Sequence, residues 1–285
     1  MLRIVTDSAS DITVEQAQAM KIDVIPLEIT FDDGPCPQKT ESDFAHFYER
    51  LKSCKNLPIT SRPAPQAYLE IYLDAKSKGD EVLVLTVSSG LSGTIETAVV
   101  AQKIAEYDAI HIVDTHQAIL SQRMLVEHAV AMRNQGFCAE EIAAEIRSIR
   151  DDMVVCGVVG TLKYLQKGGR IPASLALLGQ MMNIKPVIVL EDKILKQLGK
   201  ARGYSSGIAM LHKRMQEDGW DSNSPILFGY TSSKQLGEQL MQKTCEQFGI
   251  TNATLYPVGG IIGTHCGTDC MAVAYRKNTS NSKTV

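Results

Sequence analysis

Glu81-Val82-Leu83-Val84-Leu85-Thr86-Val87-Ser88-Ser89-Gly90-Leu91-Ser92-Gly93-Thr94 is the stretch whose reading decides the fold. The unbroken apolar run from Val82 to Leu85, extended by Thr86 and Val87, reads as a strand buried on both faces. Two glycines and four hydroxyl residues follow within residues 88–94. From Thr94 to Glu106 apolar side chains recur at three- and four-residue spacing, which predicts a helix. Strand, tight turn and helix together make half of a βαβ unit.

Outward from this stretch the same pattern repeats. Ile4–Thr6 and Ile110–Asp114 are β-branched runs that end in polar residues. Helical spacing is found over Val14–Met20, Glu41–Lys52, Gln66–Lys78, Gln117–Gln135 and Ala139–Arg150. Alternation of this kind predicts a parallel sheet between two helical layers. Residues 25–60 interrupt it with Asp32-Asp33-Gly34-Pro35 and Cys36-Pro37, so a small insertion with a hairpin or two is expected there.

Near Asp151-Asp152 the pattern changes. Met153–Val159 reads as a strand, a short helix ends at Gly168-Gly169, and Ala173–Met182 reads as an apolar helix. A hairpin then turns at Glu191-Asp192 between Pro186–Leu190 and Lys193–Leu198. The helices Tyr204–Glu217 and Ser233–Phe248 follow, with strands at Ile226–Tyr230, Ala253–Pro257 and Cys270–Tyr275. The expectation is an α/β chain of two domains. Residues 1–151 form a three-layer, Rossmann-like domain that carries the insertion, and residues 152–285 form an α+β domain on a mixed sheet. The Ser/Thr/Asn/Lys-rich end from Lys277 is expected to fray.

Composition narrows the function classes. The 285 residues are 44% apolar, and 29 Lys and Arg against 32 Asp and Glu leave a net charge of −3. No run of Lys or Arg exceeds two, so no nucleic-acid footprint is expected. No stretch approaches about 20 uninterrupted apolar residues, so no membrane span is expected. The opening residues lack a signal-peptide h-region, which points to the cytoplasm, where the seven cysteines would be free thiols.

The chemistry concentrates at a few places. The turn Ser88–Thr94 lies where free N–H groups and the helix dipole favour an anion, and it reads as an anion cradle with a plain serine cap as the alternative. Neither GxxxxGK[ST] nor GxGxxG is present, so a P-loop nucleotide site is not expected. Thr6-Asp7-Ser8-Ala9-Ser10-Asp11 leaves a strand on the same sheet edge. It either lines the same cleft or holds its own turn through Asp7. Thr60-Ser61-Arg62-Pro63 offers hydroxyls on an extended segment. Gly259-Gly260-Ile261-Ile262-Gly263-Thr264-His265-Cys266-Gly267 reads as a glycine-rich loop with one imidazole at its tip. No metal site is expected from His265, Cys266 and Cys270. Ser92, Asp114 and His265 stand in the chain order of α/β-hydrolases, which leaves a serine hydrolase using Ser92 and His265 as the rival enzyme reading. The apolar residues around Ala173–Met182 suit either a core or a dry acyl channel.

The whole chain resembles the DegV family of bacterial fatty-acid-binding proteins. The marks are Ile4-Val5-Thr6-Asp7-Ser8, Thr60-Ser61-Arg62-Pro63, Ser88-Ser89-Gly90-Leu91-Ser92-Gly93-Thr94, Gly168-Gly169-Arg170-Ile171, Lys185-Pro186-Val187 and Gly263-Thr264-His265 with Gly267. The resemblance implies a long-chain fatty acid whose carboxylate is held by Thr60, Ser61, Ser92, Gly93 and His265, with its tail in the second domain. It also implies no catalysis by the chain alone, and no cofactor beyond the bound lipid. A separate ATP-dependent fatty acid kinase would dock on Arg170, Lys200 and Arg202 and phosphorylate the carboxylate. An acyltransferase of phospholipid synthesis would use the acyl phosphate. Two residues depart from the family pattern: Arg62 stands where Gln is usual, and Asp269 brings a carboxylate toward the expected headgroup, where it would oppose binding unless Arg62 offsets it.

Overall fold

The computed structural model describes residues 1–172 and 183–278. The expected helix Ala173–Met182 and the last residues of the expected frayed end therefore lie outside the described residues. Strands β1 (Leu2–Asp7), β2 (Asp23–Ile25), β6 (Glu81–Thr86) and β7 (Ile110–Asp114) form a parallel sheet in the order β2-β1-β6-β7. Both faces of β6 are covered. Val82 and Val84 pack with Tyr68, Tyr72, Ala98 and Ala101 of the helices Pro65–Lys78 and Thr94–Ala105. Leu83 and Leu85 pack with Leu120, Leu125 and Ile142 of the helices Ile119–Asn134 and Ala139–Ile149. This is the expected three-layer α/β arrangement.

The insertion is more than hairpins. Strands β3 (Glu28–Phe31), β4 (Gly34–Pro35) and β5 (Ile59–Ser61) form a small antiparallel sheet, and the helix Glu41–Ser53 lies between β4 and β5 in sequence. Thr40 and Asp43 close that helix start with a reciprocal capping box.

The second sheet is mixed and six-stranded. Its strands are β8 (Met153–Val158), β9 (Ile184–Glu191), β10 (Ile194–Arg202), β11 (Ile226–Tyr230), β12 (Ala253–Pro257) and β13 (Met271–Arg276), in the order β10-β9-β8-β13-β11-β12. One face is sealed by the helices Gly203–Asp218 and Lys234–Phe248, through Ile208, Leu211, Met215 and Leu240. On the other face the helix Ile119–Asn134 is shared with the first domain, packing on β1 and also on β8, β11 and β13. Ser121, Gln122, Arg123, Met124, Leu125 and Val126 are consecutively buried within it, as a helix between two sheets requires.

The β9–β10 turn sits one residue later than its sequence reading, at Asp192-Lys193. Both residues have positive φ, 51° and 71°, as the preferred two-residue hairpin turn demands. The segment read as a glycine-rich loop is instead a short helix, Gly260–Cys266, with His265 in its last turn. Its glycines serve packing. A Cβ on Gly260 would lie 2.6 Å from the Phe47 ring, and one on Gly263 would lie 2.6 Å from Tyr48 Oη.

Candidate functional site

The turn Ser88–Thr94 divides into two halves with different surroundings. In the first half the Ser88 hydroxyl donates to the carbonyl of Lys193 at 2.8 Å, so the tip of the β9–β10 hairpin occupies this part of the expected cradle. Gly90 is glycine because a Cβ there would stand 2.3 Å from the same carbonyl oxygen. The Ser89 N–H donates to Asp114 Oδ1 at 3.1 Å, and Lys193 Nζ lies 3.5 Å from Asp114 Oδ2. Burial pushes the Asp114 carboxyl up, but hydrogen bonds from Ser89 and His116 outweigh it and hold the group below the usual carboxylate range.

The second half faces a cleft. Leu91 and Ser92 line it together with Ala9, the Thr60–Arg62 segment and Arg170. From the helix Gly260–Cys266 come Ile261, Ile262, His265 and Cys266. The floor is the inner face of the six-stranded sheet, including Val155, Ile188, Leu190 and Ala272. About 1030 Å³ of space is free of protein atoms, the open mouth included. Most of the lining is apolar, and among the described residues it contains no Asp or Glu.

At the polar end, Thr60 Oγ1 and His265 Nε2 are 3.0 Å apart, and Ser92 Oγ and Thr94 Oγ1 are 2.9 Å apart. His265 Nδ1 is buried with no hydrogen-bond partner among the described residues, and Gly168 leaves room for it, since a Cβ there would lie 2.2 Å away. Burial, then the nearby Arg170 guanidinium, pushes His265 down to about 4, so the imidazole is neutral at physiological pH. Arg170 donates from Nε and Nη2 to the Leu91 carbonyl at 3.1 and 3.0 Å, and from Nη1 to the Gly168 carbonyl at 2.6 Å. Burial lowers its own pKa.

Of the sequence-predicted site residues, Thr60, Ser61, Ser92 and His265 meet at the cleft. Ser61 is exposed and pairs across from Glu28 at the strand end. Gly93 caps the helix Thr94–Ala105 without lining the cleft. Arg170, expected at the surface, is half-buried at the cleft wall, where the helix-end contact with Gly168 is one of its bonds. Lys200 and Arg202 are exposed on β10, an edge strand, with buried Ala201 between them.

Two other expectations are corrected, and one left open is resolved. The Ser92, Asp114 and His265 constellation is not assembled: Ser92 bonds Thr94, His265 bonds Thr60, and Asp114 bonds the Ser89 and His116 amides. Asp269 turns away from the cleft, accepting hydrogen bonds from Ser232 and Thr268, so Arg62 has no such charge to offset. Of Thr6 to Asp11, Ala9 lines the cleft, while Asp7 holds the turn by accepting from the Ala9 and Val87 amides at 3.1 and 2.7 Å. Burial still pushes Asp7 up to about 6.

Sequence reasoning passed over the structural part of Leu91, whose carbonyl anchors Arg170, and over the inward side of the helix Gly260–Cys266. Apolar spacing of Ile261, Ile262 and His265 was available, but the surrounding glycines obscured it.

Comparison with known proteins gives a consistent picture. A family model described as "Uncharacterised protein, DegV family" matches residues 1–278. A DegV domain-containing protein of Caldanaerobacter subterraneus is 28% identical over 277 residues, covering 97% of this chain and 99% of that protein. The solved structure described as fatty acid binding of a DegV family protein from Thermus thermophilus has a TM-score of 0.85 at 27% identity, covering 97% of this chain and 99% of that one. The Streptococcus pneumoniae fatty acid kinase B3 protein, solved loaded with linoleic acid, has a TM-score of 0.84 at 20% identity, covering 98% and 100% of the two chains, and shares the fold.

Proposed function

The chain belongs to the DegV family, and from that premise we propose that it carries a long-chain fatty acid in the cleft between its two sheets. The observation that carries this reading is the cleft's polarity: an apolar length ending in Thr60, Ser92 and His265, with no Asp or Glu among its described lining residues. A buried alkyl chain contributes about 0.8 kcal/mol per methylene, which rewards length. The relative from Thermus thermophilus, 27% identical, is described as binding fatty acid.

The headgroup chemistry follows from the hydrogen bonds. In this reading neutral His265 carries its proton on Nε2 and donates it to Thr60 Oγ1, leaving the Thr60 hydroxyl proton for a carboxylate oxygen. The same reading makes Thr94 the donor of its bond to Ser92, so that Ser92 gives its proton to the second oxygen. Two oriented hydroxyls in a desolvated site hold an anion at little reorganisation cost. Arg170, fixed on two carbonyls, supplies positive charge beside them.

In this proposal the chain itself is not catalytic. A separate kinase transfers the terminal phosphoryl group of ATP to the bound carboxylate, releasing ADP, and the acyl phosphate goes on to an acyltransferase. Exposed Lys200 and Arg202 form the kinase contact, and Arg170 moves from that surface to the headgroup. In this reading residues 1–151 form the first domain and residues 152–285 the domain that takes the tail, with His265 and Arg170 of the second domain reaching the headgroup.

Mass spectrometry of the protein purified from a bacterial host, run native and then denatured, tests the carrier reading. A long-chain fatty acid released in stoichiometric amount is the expected result. A ligand-free protein that also fails to bind added hexadecanoate would overturn it.

A further inference from the structure

Asp11 is a buried acid that does not line the cleft. It ends the short turn Ser8–Ser10 with a positive φ of 54°, and it is only 3% exposed. Neither of its carboxylate oxygens has a hydrogen-bond partner among the described residues. The side chain faces the start of the helix Gly260–Cys266, since a Cβ on Gly259 would stand 2.8 Å from Asp11 Oδ1. In its last turn the same helix brings His265 to Thr60. An unpartnered acid therefore lies under the element that presents the imidazole to the cleft.

The groups that face Asp11 do not neutralise it. Arg123, on the helix Ile119–Asn134, directs Nη1 to the Asp11 backbone carbonyl at 3.3 Å and Nε to Glu127 at 2.9 Å, and its guanidinium stacks on Tyr256 of β12. Tyr48, on the helix Glu41–Ser53, donates its proton to the Val258 carbonyl. Burial pushes both the Tyr48 hydroxyl and the Cys266 thiol well above their ordinary values, so neither ionises in the neutral range. Burial also pushes Asp11 up to about 8, against the Gly259 amide and Arg123, which favour the charged form. In the packed chain the carboxyl thus keeps its proton at neutral pH, because a buried charge without a partner costs far more than a buried neutral acid.

We propose that Asp11 is a proton-dependent latch on the helix Gly260–Cys266: protonated, it stays buried beneath the helix, which then holds His265 in the cleft wall; ionised, it draws in water and the helix lifts. Lifting hydrates the carboxyl and returns it toward about 3.9, so opening releases a proton and becomes about tenfold more favourable per pH unit between the two values. His265 acts in the opposite sense, because opening lets it take up a proton below about pH 6.5. The two effects cancel between about pH 4 and about pH 6.5, and Asp11 acts alone from there to about pH 8. Asp7 does not enter, since its partners Ala9, Val87 and Gln122 all lie outside this helix. The latch operates in the ligand-free chain and is independent of what the cleft carries.

Hydrogen–deuterium exchange of the ligand-free chain, corrected for the intrinsic rate at each pH, tests the latch on the wild type and on Asp11→Asn, which keeps the shape of the neutral acid and cannot ionise. Over residues 259–267 the opening equilibrium of the wild type should rise about 30-fold between about pH 6.5 and about pH 8 and then level off. Asp11→Asn should stay flat over that range, while the helix Gly203–Asp218 should respond alike in the two chains. Carboxyl-carbon NMR of the wild type with labelled aspartate gives the same answer should the variant not fold, since Asp11 should titrate near pH 8. A flat wild type, parallel slopes in the two chains, or an Asp11 that titrates in the usual carboxylate range would overturn the latch.

Discussion

The two halves of the turn after β6 share a composition and have opposite fates. Ser88, Ser89 and Gly90 are spent on the protein itself, clamped by the hairpin tip at Lys193 and by Asp114. Leu91 and Ser92 are left to the cleft, where the Leu91 carbonyl also holds Arg170, and Gly93 lies beside Arg62. Hydroxyls and glycines after a buried strand thus mark a place where backbone comes close to something. Whether that something is a ligand or another part of the chain depends on what the topology delivers to the same edge. Here the second sheet delivers a hairpin to one half and an apolar wall to the other.

Substitution of the two glycines breaks the comparison most sharply. Gly90→Ala drives a Cβ into a backbone carbonyl that is fixed by the hairpin, and should cost about 3 kcal/mol in unfolding free energy measured by denaturant titration. Gly93→Ala meets the far end of the Arg62 side chain and has an ordinary φ of −76°, so it should cost little. Equal costs would mean that the two halves are held alike.

Acid separates the halves by a second route. The folded His265 value of about 4 lies below the ordinary 6.5, so the unfolded chain takes up its proton first as pH falls. The stability linked to neutral His265 is complete above about pH 6.5 and lost progressively down to about pH 4, on the order of 2–3 kcal/mol. Asp114 is depressed, so its contribution persists through that window and goes only at still lower pH. Buried Asp7 and Asp11, raised to about 6 and about 8, act in the opposite sense in the same range, so the wild type must be compared with His265→Asn. That variant should lose less stability between the two ends of the window. An unchanged pH slope would show that His265 is not the titrating group on the cleft side.

The serines give the smallest effect and the cleanest contrast. Ser92→Ala should weaken fatty-acid binding by about 1–3 kcal/mol with the melting curve nearly unmoved. Ser88→Ala should leave binding alone and cost about 1 kcal/mol of stability, as one buried hydrogen bond is lost. Calorimetric titration and thermal denaturation of the same two variants check both statements, and a swapped pattern would reverse the assignment of the halves.

How much of this was legible beforehand follows from what each residue type can encode. Apolar runs such as Val82–Leu85 and helical spacing such as Ile142, Ala143, Ile146 and Ile149 report burial directly, so both sheets and most helices were readable. The edge strand β2 was missed because three residues before Pro26 carry almost no periodicity. The helix Gly260–Cys266 was missed because its glycines lower helix propensity, while their reason, close approach of Phe47 and Tyr48, lies far away in sequence. At the site, Thr60, Ser92 and His265 were found through residue type and family pattern. The division of the turn at Gly90 and the inward position of Arg170 were not, because both depend on a contact that only the folded chain makes.

The bond from Thr60 to His265 spans 205 positions of sequence, that from Tyr48 to the Val258 carbonyl spans 210, and that from Gly260 N–H to Gln38 spans 222. The order of synthesis is thereby written into the site. A nascent chain lacking its final segment has every strand of the parallel sheet, yet the insertion has nothing to close against and the polar pocket has no imidazole. Contacts so distant in sequence form late, after their loop-closure entropy has been overcome. On the carrier reading proposed above, lipid capture belongs to the chain only once its last helix is in place, and a ribosome-bound intermediate should be unable to sequester an acyl chain before that helix emerges.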